Sequence, residues 1–280
     1  MHKLPVWFTV RESYGLFFSE FPALMRAAWA PVILAIVLMA MGNQLASRPA
    51  PSPALIGALL IFAGGLANAL AFVRWHRFVI LGETGQDRPI LTLGRAEWRY
   101  IVSWLVLALI ISAVAATVGI VALCLALAAF SIWPQGSDDA GGSMVRLVGV
   151  LAVAGGLIVI ALVYVRLVLI MPNAAIRGEL GIRAMANATR ANSWRILVIM
   201  LLTLLPALLV SAIPAILMAD WSAATPQPIT PLEAWASAVL GVLLQPLAVI
   251  AESIVYIRLV DLPRAQQAGQ SFSTSRSRLD

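Results

Sequence analysis

Glu252 is the one acid inside an otherwise apolar run of this sequence, and six residues further on the run closes with Arg258. A carboxyl in such a setting can hold or relay a proton, pair with a cation, or fix helix packing through a hydrogen bond. At a helical rise of about 1.5 Å per residue it lies about 9 Å deeper than the arginine. Asn68 stands in the same relation to Arg74, so Asn68, Ile160 and Glu252 are expected at equivalent depth. Contact with Arg74 or Arg166 from another segment would keep Glu252 paired, while Gln245 and Pro246 lie higher in the same run.

The arginines themselves recur. FVR at 72–74, YVR at 164–166 and YIR at 256–258 place Arg74, Arg166 and Arg258 at successive intervals of 92 residues. EWRYI at 97–101 is echoed by SWRIL at 193–197. Equal spacing is the main sign of a repeat, here three helical hairpins. At the end of a spanning helix an arginine can snorkel to phosphate headgroups, and an aromatic beside it suits the same interface. The alternative is an inward ring of Arg74, Arg166 and Arg258 that binds an anionic headgroup or solute. The first copy alone adds His76 and Arg77, where the others carry Val168 and Leu169, and Val260 and Asp261.

Other chemistries find little support. No HExxH, GxSxG, phosphate-loop or GxGxxG pattern occurs, so neither catalytic nor cofactor-binding residues are assigned. Cys124 is the only cysteine and His2 and His76 the only histidines, which argues against disulfides and metal sites. Asp138 and Asp139 sit in a glycine-rich stretch that reads as a solvated turn.

The elements that must carry these residues follow from composition. Of 280 residues 61% are hydrophobic and 11% charged, and the mean hydropathy is +0.92. Ordinary soluble domains carry about 25% charged residues. A bilayer core needs about 20 apolar residues per helix. Six such runs lie near 27–47, 54–73, 100–133, 147–165, 196–219 and 234–257. The expected fold is therefore all-α: a polytopic membrane protein with six transmembrane helices arranged as three hairpin repeats. Pro206 and Pro214 would kink the fifth span. Gly64-Gly65 and Gly155-Gly156 would let helices approach closely.

Three segments are expected along the chain. Residues 1–26 are expected to form an amphipathic interfacial helix, with Val10, Tyr14, Phe17, Phe18, Phe21, Leu24 and Met25 at its apolar positions. Residues 27–262 are the six-helix domain, with a further surface helix starting near Ile182, and residues 263–280 are a disordered tail. A cleaved signal is disfavoured because Arg26 comes late and no small-x-small site follows. With the N-terminus inside, seventeen of the nineteen Lys and Arg residues fall on the inner side and only Arg48 and Arg146 outside. That asymmetry predicts cytoplasmic N- and C-termini. It also explains the net charge of +6 without nucleic acid, which would need a solvated basic face.

VRWHR (73–77), LGE (81–83), WRY (98–100) and RLVLIMPNAA (166–175) resemble the YciC-like six-span proteins of the bacterial inner membrane, similar in turn to the membrane domain of some glycerophosphodiester phosphodiesterases. The resemblance implies an inner-membrane protein of unassigned activity. The chain carries no phosphodiesterase domain after its last span, so hydrolysis is not carried over. The Pro-x-acid-x-x-basic signature of the three-hairpin mitochondrial carriers is missing. The resulting expectation is a non-enzymatic protein that contacts membrane lipids, chiefly anionic headgroups at the inner leaflet, or assists a membrane-protein partner. Arg74, His76, Arg77, Arg166, Arg258, Asn68 and Glu252 are its candidate contacts. A small-molecule or ion transporter passing Asn68 and Glu252 is the alternative.

Overall fold

The first two prolines of the 46–53 turn already show how local sequence sets the elements: α1 (Val6–Ala46) ends ahead of them, and α2 (Pro51–Leu81) starts on Pro51. Proline suits a first helical position because the N–H it lacks would have no partner there. The computed structural model describes residues 3–48, 50–84, 93–132, 140–176, 181–218 and 230–261. Expectations concerning His2, Arg88, Asp138, Asp139, Arg177 and the tail 263–280 fall outside the described residues.

After α2 come α3 (Arg95–Ile132), α4 (Ala140–Leu167), the short α5 (Ile170–Ile176), α6 (Ile182–Thr189) and α7 (Ser193–Met218), the last two joined by a 3₁₀ turn at Arg190–Asn192. The order closes with α8 (Pro231–Tyr256), which continues as a π-turn at Ile257–Asp261. No strand occurs among the described residues. Six helices are long and apolar enough to cross a bilayer, so the chain is a multi-pass membrane protein. α2 ends on Gly82, whose φ of 70° is the left-handed conformation glycine adopts without a Cβ penalty. α8 begins at Thr230, whose hydroxyl accepts the Glu233 backbone N–H at 3.2 Å.

The segment expected to be interfacial and the first span form one helix with a kink, rather than two separated elements. Ala28 leaves helical geometry (φ −134°, ψ 19°), three residues before Pro31. Pro31 has no N–H to give the Ala27 carbonyl, which opens the ladder at this point. Before the kink, Thr9, Val10, Ser13, Phe17 and Leu24 are buried, while Trp7, Phe8 and Phe18 are exposed. In α7 the helix runs on through Pro206. The carbonyl that Pro206 leaves without its usual donor belongs to Leu202, and the Tyr14 hydroxyl donates to it at 3.0 Å.

Burial ranks the helices. In α8 61% of the most apolar window is buried and in α3 only 6%, so α8 is the axis of the bundle and α3 its outer wall. One apolar cluster joins Leu24, Ala28, Val32 and Ala35 of α1 to Ala71 and Trp75 of α2 and to Ile250 and Ile254 of α8. Another links the start of α1 to Val165, Ile196, Ile199, Val255 and Tyr256. α1 and α2 approach closely, since a Cβ on Gly42 would lie 2.9 Å from the Gly57 carbonyl oxygen. Of the four glycines expected to ease packing, Gly64 meets Met39, Gly65 meets Trp104 and Gly156 meets Val118, while Gly155 has open space beside it.

Candidate functional site

VRWHR occupies the C-terminal third of α2, and a helix turning about 100° per residue fans its consecutive side chains around the axis. Arg74 Nη1 donates to the Ala27 carbonyl at 3.3 Å and Trp75 Nε1 to the Leu24 carbonyl at 2.9 Å. Both acceptors flank the α1 kink, so α2 supplies donors where the α1 ladder is broken. Arg77 Nη1 donates to Ala175 at 3.0 Å, and its Nε and Nη2 form a fork with the Glu83 carboxylate. Arg99 Nη2 reaches the Ile176 carbonyl at 3.5 Å. Two cations thus face the carbonyl end of α5, the end of a helix dipole that favours positive charge. The PNAA part of the 166–175 motif lies in α5, where Met171 to Ile176 are all buried.

His76 points the other way, into α8. It is fully buried and its Nδ1 lies 2.8 Å from Ser253 Oγ. The single hydroxyl proton of Ser253 goes to the Val249 carbonyl at 2.7 Å, so the hydroxyl accepts and His76 Nδ1 carries the donated proton. Nε2 is left facing Glu252 Oε2 at 3.7 Å, beyond hydrogen-bond reach, and has no hydrogen-bond partner. The other carboxyl oxygen of Glu252 accepts from the Tyr164 hydroxyl at 2.6 Å. The Tyr100 ring lies 5.8 Å from that of His76. Glu252 therefore meets a phenol and an imidazole, not Arg74 or Arg166.

The expected common depth of Asn68 and Glu252 is corrected by the register of α2 on α8. Asn68 Nδ2 donates to Gln245 Oε1, and both this pair and His76–Ser253 are offset by 177 positions. The triplet arginines Arg74 and Arg258 differ by 184. The seven-residue difference is about 10 Å of helix, so Asn68 is level with Gln245 and two turns above Glu252. Asn68 Oδ1 is buried without a hydrogen-bond partner.

The same register separates the arginines. Arg258 Nη1 donates to Thr9 Oγ1 at 2.9 Å, Nη2 pairs with Glu12 at 2.6 Å, and the guanidinium lies 4.8 Å from the Phe8 ring centre. Its α1 partner Glu12 precedes Ala27, the partner of Arg74, by fifteen residues, so these two arginines do not share a ring. Arg166 ends α4 half-buried, and its carbonyl accepts from Thr189. The chain also continues differently after each triplet: α2 runs on, α4 breaks before α5, and α8 becomes a π-turn.

Beside Glu252 lies a cavity of about 380 Å³. Phe72, Tyr100, Trp104 and Tyr164 form its aromatic walls, Glu252 and Gln245 supply its carboxyl and amide, and Leu107, Ile111, Met171 and Leu204 are among its apolar walls. Exposed Ser112 sits on the α3 side. Sequence reasoning found Glu252 and Gln245 but assigned Phe72, Tyr164 and Tyr256 to the membrane interface as companions of arginines. The structure turns the first two to the cavity and buries Tyr256, whose hydroxyl lies 3.5 Å from Asn173 Oδ1. Ser253, Tyr100 and Trp104 went unassigned. Nothing in their local sequence distinguishes them from ordinary core residues. Comparison of the chain with family models, with curated proteins and with solved structures returns no match.

Proposed function

We propose that this is a non-enzymatic membrane protein that binds an amphipathic molecule of the bilayer in the cavity between α2, α3, α4 and α8. The observation that carries the reading is a buried carboxyl, held by the Tyr164 hydroxyl, on the wall of a largely apolar space. A few fixed polar groups in an apolar concavity are the usual make-up of a small-molecule site. An ionisable side chain within a spanning helix points the same way. The inward bias of Lys and Arg supports a bacterial inner-membrane location with both termini cytoplasmic. The likeness of VRWHR and RLVLIMPNAA to YciC-like proteins supports the same location.

Native mass spectrometry of the protein released from lipid nanodiscs tests the reading. Wild type is expected to retain a bound amphiphile and Ala248→Trp, which fills the cavity wall, to lose it. Equal retention in both would refute the cavity as the site. Loss only when Arg74, Arg166 and Arg258 are neutralised together would instead favour an anionic headgroup at the arginines. A membrane-protein partner would register as added protein mass.

A transport role is the second reading. It is favoured by the polar seam of α2 and α8, where Asn68–Gln245 and His76–Ser253–Glu252 follow one another and two buried polar atoms lack partners. Glu252→Gln is expected to abolish ion or solute flux in reconstituted vesicles while the fold persists. Unchanged flux would remove this role.

A further inference from the structure

Accepting that the cavity binds an amphiphile, we infer that its ligand class is the lipophilic cation: an ammonium head with an apolar tail. Four aromatic side chains, Phe72, Tyr100, Trp104 and Tyr164, line the space together with one carboxyl, Glu252. Aromatic faces attract cations through their quadrupole, most strongly where water is excluded, and they offer nothing comparable to an anion or a neutral head. Pairing with an ammonium head would hold Glu252 as its carboxylate, which adds a formal countercharge. Among the described residues no lysine or arginine lines the cavity. Three arginines close in sequence to lining residues are directed elsewhere, Arg74 to Ala27, Arg77 to Glu83 and Ala175, and Arg99, next to Tyr100, to Ile176.

The groups behind Glu252 fit the same role. Tyr164 fixes one carboxyl oxygen by donating to it, which orients the group without neutralising it. The Ser253 contact commits the His76 Nδ1 proton, so in the neutral ring a bare Nε2 stands 3.7 Å from the second oxygen and gives it no hydrogen bond. Glu252 thereby retains acceptor capacity on the wall of a largely aromatic and aliphatic space. The tail has a route outward on the α3 side, where the lining residue Ser112 is exposed. A head with few N–H groups, quaternary or trialkyl, suits walls that provide aromatic faces and only one carboxyl.

The test uses the full chain in nanodiscs and three diazirine photoprobes with the same alkyl chain at equal mole fraction in the lipid. Their heads are trimethylammonium, its uncharged tert-butyl isostere and a carboxylate. Labelled peptides are mapped by mass spectrometry. The ammonium probe is expected to label cavity-lining peptides of α3, α4 and α8 about tenfold more than either other probe, as a desolvated cation–π site with a carboxylate would. Glu252→Gln and Trp104→Leu are each expected to erase most of that preference, whereas Glu252→Asp, which keeps the charge, retains it. Equal labelling by ammonium and tert-butyl probes would overturn the cation assignment and leave amphiphile binding standing. Preference for the carboxylate would overturn it as well. Absence of cavity labelling by any probe would overturn both readings. Because Trp104 lies on the outer wall, its variant provides the decision even if Glu252→Gln fails to fold, and an undiminished preference in it would refute the aromatic cage.

Discussion

The hydrogen bond between Tyr164 and Glu252 gives the sharpest energetic prediction. Its oxygen–oxygen distance of 2.6 Å lies in the short range of bonds to ionised acceptors. The Glu252 side chain is 8% exposed, so water cannot readily replace the phenol. A hydrogen bond to a charged group contributes about 1.5–3 kcal/mol, whereas interhelical hydrogen bonds inside membranes average about 0.6 kcal/mol. A double-mutant cycle of Tyr164→Phe and Glu252→Leu, which removes the acceptor, isolates the pair from the other effects of each substitution. The assay is unfolding of the purified protein from mild micelles by titration with a denaturing detergent, followed by tryptophan fluorescence. We expect a coupling energy of about 1.5 kcal/mol or more, equivalent to a factor of about twelve in the folding equilibrium. A coupling at or below about 0.6 kcal/mol would refute the reasoning, because the pair would then be an ordinary neutral packing contact.

Two other substitutions test the scaffold around the site. Trp75→Phe removes the donor to the Leu24 carbonyl next to the α1 kink and keeps most of the ring volume. It should cost about 1–3 kcal/mol as a buried acceptor is left unsatisfied, measured by the same titration. A loss below about 0.5 kcal/mol would mean that α2 does not brace the kink. Gly42→Ala should destabilise by about 1–3 kcal/mol, because the added Cβ would sit 2.9 Å from the backbone of Gly57 and Ile61, and backbone atoms cannot swing aside. Gly119→Ala, with open space around it, is the control and should leave the melting temperature unchanged or slightly raised.

Which features were readable in the sequence follows from what each depends on. The six spans rest on local composition, and a proline such as Pro206 marks which carbonyl loses its N–H donor, whereas Pro31 was not singled out from the sequence. The identity of the replacements, Arg74 and Tyr14, depends on neighbours that no local pattern names. Glu252 was conspicuous as a lone acid, but its partners were not, because pairing follows the stagger between helices. Equal spacing of Arg74, Arg166 and Arg258 suggested equal depth, whereas packing set α2 and α8 two turns away from that register. His76 misled for a related reason. Flanked closely by Arg74 and Arg77, it resembled part of a basic edge, but a helix separates neighbouring side chains by about 100°. Arg74 and Trp75 could turn to α1 and Arg77 to the end of α5 only while His76 faced α8, so the same compact motif that braces three elements delivers its imidazole to the single buried carboxyl on α8. Each of these contacts uses a different side of α2, so the motif's bracing role and its place beside the cavity come from the same helical geometry.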